Sequence, residues 1–265
     1  MKSVAGQKDP IIRLLRELTT EEGRAREGTF FAEGEELVCR AFDFGAKVES
    51  VILTERFSGM PEAEAVTERA RYAGTDVYVA SGGLIGKILD AKPTPECLAI
   101  CERKVATLGE VFAGDCSLVM MVESCELADN LGMLLRSTDA AGVSGVVLAG
   151  ETADPFARRV VRGSRGAVFT VPMCIHRDSV RVVEEAKSRG LRVIATSANA
   201  SIPHTSVDYT GPTMLVVGNE HTGISETVRD LADEIVRIPM RGRINSLNVA
   251  VAAAIVLYEA VRQRA

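Results

Sequence analysis

The chain has no tryptophan, three histidines, and aromatic residues at only 5% of its 265 positions. Its six cysteines, Cys39, Cys97, Cys101, Cys116, Cys125 and Cys174, include no C-x-x-C pair. With so little histidine, that spacing argues against a zinc site, and no metal is expected. There is no signal-like N-terminus, so the thiols read as reduced and the expected compartment is the cytoplasm. Long apolar runs are missing too. The longest, residues 249–257, is far too short to span a bilayer and suits a buried helix. No G-x-G-x-x-G follows the first strand, and neither G-x-x-x-x-G-K-[ST] nor G-x-S-x-G occurs. These absences exclude a Rossmann dinucleotide site, a P-loop and a nucleophile elbow.

A bulk excess of positive charge is also lacking, since the net charge is −5. The basic residues are nevertheless clustered. Between Asp154 and Asp178 there is no acid, but there are Arg158, Arg159, Arg162, Arg165 and Arg177. Between Glu234 and Glu259 there is again no acid, and Arg237, Arg241 and Arg243 fall there. A guanidinium fork matches phosphate oxygens better than an ammonium does.

What is present is an ordinary globular composition, 46% hydrophobic and 25% charged, long enough for two domains. Residues 1–104 alternate amphipathic helices (IIRLLREL, a helix from Glu33 to about Gly45, and one opened by Pro61 and stopped at Gly74) with β-rich runs such as VESVILT and DVYVA. Residues 103–116 read as a connecting segment. The pattern then restarts over 105–265. SLVMMVES is a continuous apolar run, as a central parallel strand requires. Further strands alternate with helices, one of them opened by Pro155. Such alternation implies a mostly parallel α/β sheet with helices on both faces.

Polar residues and glycines gather where apolar strands end, the edge at which open α/β sheets bind ligands. In NLGMLLRSTDAAGV, Asn130 sits at a strand-to-helix turn and Arg136 nearly two turns on. Taken alone, Asn130 is a helix cap and Arg136 a snorkelling surface residue. In LVVGNEHTGIS, Gly218 allows a close backbone approach or positive φ, and Glu220 could be a helix-opening carboxylate. In IPMRGRINSLNVAVAAAIVLYE, Ile238, Met240 and Leu247 could be plain core, and Ser246 an N-cap before Asn248.

These three segments, in this order, resemble the motifs of the SpoU/TrmH family, RNA ribose 2′-O-methyltransferases of the SPOUT superfamily. The resemblance implies a knotted C-terminal domain, with a deep trefoil knot, that binds S-adenosylmethionine, and an active site at a homodimer interface. It assigns Asn130, Arg136, Glu220, Ser246 and Asn248 to catalysis, and Gly218, Ile238, Met240 and Leu247 to the methyl donor. Residues 10–103 are similar to the small ribosomal-protein-like RNA-binding domain of family members that act on ribosomal RNA. Candidate RNA contacts are Arg13, Arg16, Arg24 and Arg26 there, with Arg158, Arg162 and Arg165. Where a proline often precedes the family's asparagine, Ala128 and Asp129 stand here. The expected activity is 2′-O-methylation of 23S-type ribosomal RNA. The alternatives are a tRNA 2′-O-methyltransferase, an antibiotic-resistance rRNA methyltransferase, or an RNA-binding assembly factor without catalysis. Because guanidinium stays protonated, Arg136 is read as lowering the pKa of the ribose hydroxyl rather than as its base.

Overall fold

The computed structural model describes residues 1–113 and 118–265. Cys116 and the end of the expected connecting segment lie outside them. Two compact units result: Met1–Arg103 with Asp154–Phe169, and Lys104–Ala153 with Thr170–Ala265. The partition is therefore not the linear cut expected at 104/105. Within the first unit, Phe156 packs tilted against Phe30 and Phe169 stacks on it (centroids 4.9 and 6.1 Å apart). Asp154 there forms a buried ion pair with Arg24 at 2.6 Å. These contacts hold the inserted segment in that unit.

In chain order the first unit carries β1 (Lys2–Ser3), α1 (Pro10–Glu17), α2 (Glu21–Glu27), β2 (Thr29–Glu33), α3 (Glu35–Asp43), β3 (Val48–Thr54), α4 (Glu55–Ser58), α5 (Ala63–Ala73), β4 (Asp76–Ala80), α6 (Gly82–Leu89) and β5 (Cys97–Glu102). The sheet order is β1-β4-β3-β5-β2, with β5 antiparallel to both neighbours. Ile11, Ile12 and Leu15 of α1 pack on Phe31, Ile52 and Ile100. Asp9 caps α1 and Pro10 occupies its first turn, where a missing N–H costs nothing. α5 begins at Ala63, two residues after Pro61, and ends at Gly74 in the left-handed region.

The second unit's elements, together with α9 and α10, are α7 (Leu108–Val111), β6 (Leu118–Glu123), α8 (Ala128–Ala140), β7 (Gly145–Ala149), α9 (Arg158–Ser164, which belongs to the first unit), α10 (Ala167–Thr170, which belongs to the first unit up to Phe169), β8 (Met173–His176), α11 (Ser179–Ser188), β9 (Arg192–Thr196), β10 (Ile202–Pro203), β11 (Thr213–Val217), α12 (Glu226–Leu231), β12 (Glu234–Arg237) and α13 (Val249–Arg264). α9 starts later than Pro155 because the Asp154 carboxylate accepts from the Phe156 amide at 3.0 Å and folds that stretch into a turn. Among the described residues the strands form one parallel sheet, ordered β10-β12-β9-β11-β6-β7-β8. Every residue of β6 is buried, Leu118 to Val122 as their unbroken apolar run requires and Glu123 by accepting from the Ser225 amide and hydroxyl. Alternate residues face opposite sides. Val119, Met121, Val193 and Val216 meet Val182, Val183 and Val228 of α11 and α12. α13 packs against α8 and β11. The parallel register brings the C-terminal ends of β6, β11, β9 and β12 to one edge, with Val217 beside Val122 and Val236 beside Thr196.

Candidate active site

At that edge the turns after β9, β11 and β12 enclose a cleft of about 290 Å³. Its lining includes Gly218, Glu220, Ile238, Met240, Ser246 and Leu247, residues drawn from two of the three sequence motifs. Gly218 is required by space and not by positive φ: a Cβ there would lie 2.1 Å from the Gly223 carbonyl carbon. The turn is closed by paired backbone bonds between Asn219 and Gly223, each 3.0 Å. Asn219 also donates to the Ser124 carbonyl (2.8 Å), and its own side-chain oxygen accepts from the His221 amide (2.8 Å).

Asn130 and Asn248 do not line the cleft; they stand behind Glu220. Asn248 Nδ2 donates to Asn130 Oδ1 at 2.8 Å, and Asn130 Nδ2 donates to Glu220 Oε1 at 2.8 Å. Asn130 is buried within α8, in its first turn, and is not the cap expected of it. The cap position is Leu127, which has no side chain to offer. Glu220 supplies the missing acceptor, taking the Leu127 amide at 3.3 Å and the Glu126 amide at 3.4 Å. It is thus a helix-opening carboxylate, but for α8, ninety residues upstream. The same logic moves the cap of α13 from Ser246 to Asn248, whose oxygen accepts from the Ala250 amide at 2.9 Å. Ser246 is left free to face the cleft.

Burial works against charge on Glu220, but hydrogen bonds from Asn130, Cys125 and the backbone outweigh it and hold the carboxyl below its ordinary 4.5. For Cys125, burial first and the Glu220 carboxylate second push the thiol up, so it remains a protonated donor, 3.2 Å from Oε1. A carboxyl whose folded pKa is depressed stabilises the fold above its unfolded value and loses that contribution as pH falls through the folded value. Wild type is therefore expected to be more stable than Glu220→Gln at neutral pH. The gap should close as acidification passes below the ordinary glutamate value and through the depressed one, as read by denaturant unfolding across pH; a constant gap would contradict the ionised network.

Arg136 is not brought to the cleft. It lies about 9 Å along α8 from Asn130, is exposed, and makes no ion pair or side-chain hydrogen bond among the described residues. The arginines of the first unit divide. Arg24 is buried, held by Asp154 and the Leu18 carbonyl (2.9 Å), and so is structural and not an exposed RNA contact. Arg26 pairs with Glu17 and Glu27, Arg158 with Glu33 (2.7 Å) and Arg165 with Glu36 (2.7 Å), while Arg162 stands 3.8 Å from Glu33. The acids beside Arg158, Arg162 and Arg165 are more than a hundred residues away in sequence, which is why an acid-free window looked basic. Arg13 and Arg16 remain exposed on α1, and Arg237, Arg241 and Arg243 around the cleft are exposed and unpaired among the described residues.

A family model, SpoU rRNA Methylase, matches residues 117–258, and an MRM3-like substrate-binding domain matches residues 9–102. The chain belongs to the SpoU rRNA methylase family. That membership bears out the family resemblance and the SPOUT α/β fold. This SpoU methylase is 28% identical to the 23S rRNA (guanosine(2553)-2′-O)-methyltransferase RlmP of Bacillus subtilis, over 97% of this chain and 98% of that one. It is 30% identical to the 23S rRNA (uridine(2479)-2′-O)-methyltransferase of Streptomyces viridochromogenes, over 91% of this chain and 85% of that one. The structure of an AdoMet-bound rRNA methyltransferase from Sinorhizobium meliloti matches with TM-score 0.87 and 30% identity, covering 98% of this chain and 97% of that one. Several cleft residues of this SpoU methylase escaped the motif reading, among them Ser197, Asn199, His221 and Arg229. His221 and Thr222 lie within LVVGNEHTGIS, at positions where the resemblance implies no role. The others follow β9 or lie within α12, where no motif points.

Proposed function

We propose that this methylase transfers the methyl group of S-adenosylmethionine to a ribose 2′-hydroxyl of large-subunit ribosomal RNA. The observation that carries the reading is the convergence of Gly218, Ile238, Met240, Ser246 and Leu247 on one cleft at the sheet edge. The cleft fits the donor chemically. Val236, Ile238, Met240 and Leu247 offer apolar walls. No backbone–backbone hydrogen bond involves residues 240–247 among those described, so their amide and carbonyl edges are available to an adenine ring. S-adenosylmethionine supplies an already activated methyl group, so the protein's task is to position and to exclude water.

Gly218, Ile238, Met240 and Leu247 hold the donor. Glu220, locked by Asn130 and Asn248, fixes the cleft wall, and Ser246 faces the ribose. Arg136 acts on the hydroxyl: a fixed cation beside the 2′-oxygen lowers its pKa and favours loss of its proton. Since Arg136 is absent from its own chain's cleft lining, it works in the cleft of a second copy. A homodimer is supported by apolar exposure on the two helices that pack together, at Met133 (43%) on α8 and at Val251 (47%) and Tyr258 (51%) on α13. A trefoil knot accounts for the passage of residues 238–248, which leave β12 outside β9 and end in α13 against α8 and β11. RNA is held by Arg13 and Arg16 of the substrate-binding domain and by Arg237, Arg241 and Arg243 beside the cleft, with the expected Arg26, Arg162 and Arg165 able to join only by exchanging their acidic partners. Free thiols at the described cysteines suit a cytoplasmic enzyme.

Mapping of ribose methylation by mass spectrometry, in ribosomal RNA from cells with and without the gene, tests the reading. One 23S-type nucleotide should lose its 2′-O-methyl group. An unchanged ribosomal map with a changed tRNA map would transfer the activity to tRNA, and a protein that binds no S-adenosylmethionine would be an RNA-binding factor.

A further inference from the structure

Arg229 is the one permanently cationic side chain that lines the cleft among the described residues. It sits half-buried in the last turn of α12. Two acids stand at helix-pairing distance in sequence, Glu226 three residues before and Asp233 four after. Neither is joined to it. Asp233 is taken by Lys187 at 2.7 Å and by the Val193 amide at 2.8 Å. No ion pair or side-chain hydrogen bond connects Arg229 to any described residue.

The donors of a guanidinium are arranged as a fork that matches a carboxylate. Among the described residues the only carboxylate of the lining is Glu220, whose Oε1 accepts from Asn130, Cys125 and the Leu127 amide and whose Oε2 accepts from the Glu126 amide. The cleft thus offers apolar walls, a satisfied acid and an unsatisfied cation. A sulfonium amino acid joined to adenosine carries one anionic group, the α-carboxylate of its methionine part.

On the reading of the cleft as the donor site, we infer that Arg229 binds that carboxylate and so selects the intact amino-acid tail of the donor. The methyl-bearing sulfonium is not its target. Arg229 is a positioning residue: anchoring the tail fixes where the sulfonium lies.

Isothermal titration of the full-length protein with S-adenosylmethionine and with its decarboxylated form, which keeps the ammonium and the sulfonium, separates the possibilities. Wild type should prefer the carboxylated donor. Arg229→Gln should weaken that donor by about tenfold to a hundredfold, the range of a charged hydrogen bond, and leave the decarboxylated form unchanged. Arg229→Lys should recover part of the loss, and matching thermal melts of the variants show that the fold is kept. Equal weakening of both ligands would overturn the assignment. So would unchanged donor affinity in Arg229→Gln, whether or not RNA binding falls, the fall being the outcome expected if the guanidinium held a phosphate. Failure of wild type to bind either molecule would overturn the donor-site reading itself, and the assignment with it.

Discussion

Gly218→Val is expected to abolish donor binding and to lower the melting temperature by about 6–12 °C, taking an overpacking cost of about 3 kcal/mol in a domain of this size. The reason is steric. An added Cβ would meet Gly223 C at 2.1 Å and the Ile224 amide nitrogen at 2.2 Å, and both are backbone atoms. A flexible side chain could swing away, but this backbone cannot. Gly223 already holds φ +73, and its amide and carbonyl are paired with Asn219. The strand end must therefore separate from the turn, which carries Glu220 out of reach of Asn130 and leaves the first turn of α8 without its acceptor. Gly211→Ala is the matched control: nothing lies within 4 Å of its added Cβ, and its φ is ordinary. Differential scanning calorimetry and titration with S-adenosylmethionine check both variants. Retention of wild-type melting and binding by Gly218→Val would mean that the turn is not rigid.

The fate of Gly218 shows what could be read in the sequence. A glycine closing an apolar strand announces a close approach, and the approach is there, although its object is the protein's own turn. The parallel sheet was legible because unbroken apolar runs such as 118–122 admit few other readings. The cleft lining at Ile238, Met240 and Leu247 was legible only through family resemblance, since apolar residues alone read as core. Glu220 was legible as a helix-opening carboxylate, yet not which helix it opens. That depends on a contact with residues 126 and 127, more than ninety positions away. The same limit explains the arginines. A window of sequence records which acids are near in the chain, whereas Glu33 and Glu36 neutralise Arg158 and Arg165 through space. α2, with sequence EEGRARE, has no apolar stripe to betray it, and its signals were the flanking Thr20 cap and Gly28 at φ +66.

Arg136→Ala is expected to reduce methyl transfer by about a hundredfold to a thousandfold, the effect of removing a group aimed at developing charge, with donor affinity unchanged. The separation follows from placement: Arg136 is exposed on α8 and absent from the cleft lining of its own chain, so the donor's walls do not feel its loss. If it serves the cleft of a second copy, two inactive variants should complement each other. Leu247→Glu closes the donor cleft but keeps Arg136; Arg136→Ala keeps the cleft but loses the cation. In a dimer of the two, the intact cleft receives the intact arginine and the other site has neither. Random reassortment of equal amounts makes half the dimers mixed, and each mixed dimer has one working site of two. Activity should then return to about a quarter of wild type. An arginine acting on its own chain's cleft predicts no recovery, because every site would lack one component. Single-turnover assays of the mixture, after partial unfolding and refolding to exchange subunits, decide between the two, and refolded homodimers of each variant set the baseline.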